Sequence, residues 1–172
     1  EVDHCDRAVL VQDCSMDGSF GFFGGYQESF AKITASKAVL NRCSFVPVPQ
    51  TDYFSDSHAV SVTTGSEVRL FDCTLEAPVN SVGLLVSDSH VACSGGSILG
   101  GPGNDAWVIH GPCVLYPGDG QPGIEAQSGA EVLVLDTPIA GGPGGATGPG
   151  CGPRGQAGPR ISLQGGNVTE IT

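Results

Sequence analysis

Apolar residues recur along the chain in a phrase that repeats six times. Each copy ends on a small residue followed two positions later by an apolar one: Cys14 and Met16, Cys43 and Phe45, Cys73 and Leu75, Gly96 and Ile98, Thr137 and Ile139, Gly166 and Val168. Seven positions before that final apolar residue stand Val9, Ala38, Val68, Val91, Val132 and Ile161. Five positions before it stand Val11, Leu40, Leu70, Cys93, Val134 and Leu163. The residue between these two columns varies freely: Leu10, Val39, Arg69, Ala92, Leu133, Ser162. Alternate residues of a strand point to one side, so the two apolar columns share a face. The three-residue step down to the cysteine column predicts a bend that turns the small residue and the final apolar residue inward as well. Upstream, Val60 and Val62, Leu84 to Val86, and Ile124 and Ala126 predict another strand. Each ends at a Ser/Asp/Gly turn: Thr64-Gly65-Ser66, Ser87-Asp88-Ser89, Gln127-Ser128-Gly129.

A unit of 23 to 30 residues with two or three short strands cannot bury its own apolar face, whereas stacked units can. The expected fold is all-β, a solenoid of about six coils without substantial helix, occupying residues 1–172 as one domain or as a fragment of a longer one. The column pattern resembles the right-handed parallel β-helix, the pectate-lyase-like solenoid superfamily, with no specific member singled out. Equivalent strands then run parallel, about 4.8 Å apart. A β-sandwich also alternates, but it does not place the same inward types at fixed offsets six times.

Composition narrows the function classes. Lys+Arg 7 against Asp+Glu 18 gives a net charge of −11. So few cations exclude phosphate-backbone neutralisation, and hence nucleic-acid binding. No run approaches the roughly 20 apolar residues of a membrane-spanning helix. Gly 27 and Pro 12 oppose long helices. The chain opens on Glu1 without an initiator Met or a leader, and is read as a processed product or a piece of something longer.

Seven cysteines are an odd number and show no zinc spacing. Cys14, Cys43 and Cys73 are expected to stack as an inward ladder of packed thiols, with inter-coil disulfides as the alternative, and Cys93 fills an apolar column. Cys5, Cys113 and Cys151 lie outside the columns and are open to pairing with one another.

Three interruptions carry candidate chemistry, because loops on one side of a solenoid often carry function. The first, from Asp17 to Phe30, is aromatic-rich. Tyr26 is a ligand candidate there, against packing over a coil or an end. The second, a 41-residue repeat, holds Trp107, His110 and Tyr116, which suit a ligand pocket. The competing expectation is a buried strand at Trp107-Val108-Ile109. The third, Gly141 to Arg160, has glycine at every third position over six triplets with one break, as in collagen. It is too short for a triple helix and is expected to be an extended loop laid along the solenoid.

For catalysis the sequence offers Asp13, Arg42 and Asp72 in one column. Two carboxylates two coils apart stand about 9.6 Å from each other, near the outer limit of about 9.5 Å for an inverting glycosidase. The intervening Arg42 reads more simply as part of a salt-bridge ladder. The resemblance implies polysaccharides, since many β-helix families act on them, and the lyases pair calcium-binding acids with a basic residue. No segment matches such a motif, so no residue is carried over and no metal or cofactor is expected, calcium having no motif to support it. Ser55-Asp56-Ser57-His58 and Ser87-Asp88-Ser89-His90 fall at different offsets and read as turns. Asn167-Val168-Thr169 fits a glycosylation sequon as well as an ordinary repeat position.

The expected function is a non-catalytic extracellular or cell-surface module with a structural, adhesive or filament-forming role. It would self-associate end to end where its last coils are bare. The alternative is a carbohydrate-active β-helix, either a lyase or hydrolase domain or a glycan-binding module.

Overall fold

The structure is a computed structural model describing residues 1–5, 7–18, 29–47, 58–108 and 113–171. Among the described residues there is no helix, and the strands form three large parallel sheets. The first sheet stacks Val2–Asp3, Ser29–Thr34, His58–Thr63, Leu84–Val86, Ile124–Gln127 and Ile161–Gln164. The second stacks Val9–Gln12, Lys37–Asn41, Glu67–Phe71, His90–Ser94, Glu131–Leu135 and Asn167–Ile171. The third stacks Ser15–Gly18, Ser44–Pro47, Thr74–Glu76, Ser97–Leu99 and Ile139–Ala140. Each repeat thus adds one strand to each sheet in turn, and the last described repeat reaches only the first two. This architecture is compatible with a parallel β-helix.

Register follows the apolar columns. Val9, Ala38, Val68, Val91 and Val132 pair in sequence across the second sheet. Met16, Phe45, Leu75, Ile98 and Ile139 do the same across the third. Val60 and Val62, Leu84 and Val86, and Ile124 and Ala126 align in the first. From Ala38 onward these side chains, with others from Phe30 to Ile139, form one buried cluster. A one-residue slip would turn every apolar residue outward, so burial itself fixes the register.

The bends have a common backbone cause. Between the second and third sheets, Asp13, Arg42, Asp72, Gly95 and Asp136 all have φ between 47° and 70°. Between the first and second sheets, His4, Ala35, Thr64, Asp88, Gly129 and Gly165 are also left-handed. One left-handed residue reverses the inward–outward alternation and turns the next side chain into the core. At the first corner that residue is Ser36, Ser66 or Ser89, each buried. The serines form a ladder: the N–H groups of Cys5, Ser36 and Ser66 donate to Oγ of Ser36, Ser66 and Ser89 at 2.9, 3.2 and 3.1 Å. At the second corner the thiols take the same part. Cys43 Sγ donates to Asn41 O and Cys73 Sγ to Phe71 O, while Thr137 Oγ1 donates to Leu135 O. Cys14, Cys43, Cys73 and Cys93 remain free thiols, as does Cys5, which stands at the foot of the serine ladder.

The final repeat corrects the sequence expectation. Ile161 and Leu163 pair with Ile124 and Ala126 of the first sheet, and Val168 takes the place below Val132. Gly165-Gly166 resembles Gly95-Gly96, yet it turns the first corner, with Gly165 opposite Gln127. Small residues serve both corners, so residue type alone does not tell them apart. Glu170 consequently falls in the column of Val134, where it pairs with Arg160 at 3.1 Å.

Candidate functional site

After the third sheet the chain must return to the first. Residues 77–83 make that return in seven residues, whereas 100–123 and 141–160 take far longer routes. Both begin alike, with Gly100-Gly101-Pro102-Gly103 and Gly141-Gly142-Pro143-Gly144. Together they build a glycine lobe from four extended segments: 100–106, 117–123, 141–147 and 153–159.

The segments are joined by backbone hydrogen bonds with a three-residue period. Gly100, Gly103 and Ala106 donate to Ala140, Pro143 and Ala146 at 2.9, 2.9 and 2.8 Å. Gly118 and Gln121 donate to Asn104 and Gly101, and Gly142 and Gly145 to Gln121 and Gly118. Gly155 and Gly158 donate to Gly145 and Gly142, and Gly120 and Gly123 to Gln156 and Pro159. Three residues per turn is the polyproline II geometry. Of the glycines that mark the collagen-like triplets, Gly142, Gly145, Gly155 and Gly158 are packed against backbone, whereas Gly152 stands in open space. An added Cβ at Gly142 would lie 1.9 Å from Gly101 O, and at Gly145 1.8 Å from Asn104 O. Neither glycine has a positive φ, so close approach alone requires them. Within the lobe the backbone partners of segment 141–160 lie mainly in segments 100–106 and 117–123 of the preceding repeat.

The far end of the lobe is a two-stranded antiparallel hairpin, Trp107–Val108 with Cys113–Leu115. The Cys113–Cys151 disulfide ties it to the turn of the other insert, with a Cα–Cα distance of 5.1 Å. Asn104 Nδ2 donates to Tyr116 O at 2.9 Å, and Asp105 Oδ1 accepts from Ala146 N at 2.6 Å. Among the described residues no strand of the parallel sheets packs substantially on this hairpin. Trp107 is 50% exposed, Val114 53% and Tyr116 65%. The sequence candidates Trp107 and Tyr116 are thus brought to one hairpin. Trp107, expected in a buried strand, is half exposed and Val108 half-buried, while Ile109 lies outside the described residues. His110 and Tyr26 lie outside the described residues.

The column of Asp13, Arg42 and Asp72 is differently placed. Arg42 Nε and Nη2 donate to Asp13 Oδ1 and Oδ2 at 2.6 and 2.8 Å. This bidentate bond, aided by Gln12, holds the Asp13 carboxyl at about 2, below its ordinary value. Asp72 adds attraction for Arg42. All three stand at a left-handed corner, where their backbone conformation accounts for the column.

One arrangement was not read from the sequence. Lys37, Glu67, His90, Glu131 and Asn167 align across the outer face of the second sheet. Lys37 Nζ reaches Glu67 at 2.9 Å and His90 Nδ1 reaches Glu131 at 3.0 Å. Lys37, foremost, and then Arg69 and His90 hold Glu67 below the ordinary carboxylate range. A shallow depression of about 430 Å³ lies over this row, lined also by Ala92 and Leu133. Lys37, Glu67, His90 and Glu131 all stand eight positions before a final apolar residue, whereas Asn167 joins the row only through the shifted last repeat. Among the described residues no group of three His, Cys, Asp or Glu could hold a metal ion, and no helix is long and apolar enough to cross a membrane. No protein-family model, no curated protein and no solved structure matches this chain, so its site rests on its own geometry.

Proposed function

We propose that the chain is a non-catalytic, extracellular parallel β-helix module whose body mounts the glycine lobe, and that the lobe hairpin makes an adhesive contact with a partner. The observation that carries this reading is the exposure of Trp107, Val114 and Tyr116 on a short, braced hairpin. Large side chains on a preordered element lose little freedom on binding, and Trp and Tyr dominate contact energies. At about 3.1 Å per residue, segment 100–106 carries the hairpin roughly 20 Å from the third sheet. A disulfide supports an oxidising, extracellular setting.

The test is retention of protein-coated beads under flow on cellulose, chitin, pectin, mucin and collagen surfaces. Retention on at least one surface is expected, with a loss of about tenfold or more in W107A/Y116A at unchanged melting temperature. Retention on none, or equal retention of the variant, refutes the reading.

The depression over Glu67, His90 and Glu131 favours a second reading, a carbohydrate-active groove. Glu67 and Glu131 are two repeats apart, about 9.6 Å by strand spacing, against about 6.5–9.5 Å for an inverting carboxylate pair. New reducing ends released from any of these polysaccharides, and lost in Glu131→Gln, would select it.

A further inference from the structure

We infer that the Cys113–Cys151 disulfide is a thiol-exchange site that controls the order of the lobe hairpin independently of the body. This concerns regulation of the contact site proposed above and rests on that reading only for its biological use. The two cysteines belong to different inserts, and their bond is the one covalent link between them besides the chain itself. The other five cysteines are free thiols in the body. A reductant therefore finds a single disulfide, and it lies in the lobe.

Besides the disulfide, the described hairpin is held by the pairing of Trp107 with Leu115 and Val108 with Cys113 and by short-range bonds at its base, from Asn104 Nδ2 to Tyr116 O and from Ala146 N to Asp105 Oδ1. A two-stranded hairpin is by itself marginal in water. The segments behind it are glycine-rich, so they gain the most backbone freedom on release. The body, by contrast, keeps a continuous apolar core from Ile33 to Ile139 that no disulfide crosses.

Access is unequal. Cys113 is half-buried and Cys151 is fully buried. A dithiol reductant attacks as thiolate at Cys113 Sγ, the S–S bond breaks, and Cys151 leaves as thiolate and takes up a proton. The second thiol of the reductant then attacks the mixed disulfide. Cys113 is released as a thiol and the reductant becomes its own cyclic disulfide.

The test uses the full chain and dithiothreitol. Trp107 is the sole tryptophan, so its fluorescence reports on the hairpin alone. Reduction, verified by alkylation of Cys113 and Cys151, should lower Trp107 anisotropy and raise its quenching by acrylamide. The far-UV circular dichroism and melting of the body should not change. The C113S/C151S variant should match the reduced protein and ignore dithiothreitol. If that variant fails to fold, reduced wild type still decides the matter. Unchanged anisotropy with both thiols alkylated overturns the inference, as does loss of the body together with the hairpin. Bead retention that fails in both redox states strikes the adhesive reading and leaves this one standing. Unchanged anisotropy does the reverse.

Discussion

In the body, neighbouring stretches of chain meet through side chains; in the glycine lobe they meet backbone to backbone. The body repeats every two residues along a strand, and Val, Leu and Ile fill the space between sheets. The lobe repeats every three residues, and the absence of side chains lets its segments close on one another. The body draws stability from apolar area removed from water. The lobe buries little of this kind and depends on its hydrogen-bond ladders, two carboxylate acceptors at Asp105 and Asp119, and one disulfide. Two packing regimes in one chain should fail separately.

The sharpest way to break the comparison is to put the same chemistry in both regions. Leu75→Ala empties a fully buried position of the body and should cost about 2–5 kcal/mol in global unfolding. Gly145→Ala adds one methyl where a backbone oxygen lies 1.8 Å away. It should disrupt the lobe, by roughly 1–3 kcal/mol or more, while leaving the body's melting in place. Hydrogen exchange resolved by segment reads both. If Gly145→Ala unfolds the body, the two regions are one cooperative unit.

A smaller effect tests the serine corner. Ser66→Ala leaves the Ser36 N–H without its acceptor inside the body, and a buried donor left unpaired costs about 1–3 kcal/mol. Chemical denaturation of Ser66→Ala against Ser66→Thr separates the lost acceptor from the lost volume.

The smallest effects are in pH. Burial pushes the Cys93 thiol up to about 12 from 9.0. Its contribution to stability is whole below pH 9 and falls as pH rises toward 12, because the unfolded chain releases the proton first. The slope is about 1.4 kcal/mol per pH unit, and Cys93→Val should remove that share of the alkaline loss. At the acid end Asp13, held at about 2 by Arg42, contributes above its ordinary 3.8 and loses that contribution as pH falls through 2. Because the pair is exposed, Arg42→Ala should alter the acid melting curve only slightly.

Val68, Leu70 and Leu75 announced their places because alternation and burial are linked in any strand with one dry face. The exposed row of Lys37, Glu67, His90 and Glu131 was equally regular but lies outside the apolar columns that guided the reading. Gly165-Gly166 misled because either corner accepts a small residue. Trp107 and Tyr116 were visible as candidates, but their shared hairpin depends on pairing between distant segments.

The order of residues thus determined the stacked strands, their parallel register through Val132 and Ile139, and the bends before the cysteines, since each follows from local backbone preference and from hiding apolar surface. Only the folded chain decided that two glycine-rich inserts interlock, that Cys113 meets Cys151, and that Trp107 is half exposed on the lobe hairpin. Glycine carries no side chain to signal a partner, so its neighbours are chosen by the shape the whole molecule leaves open.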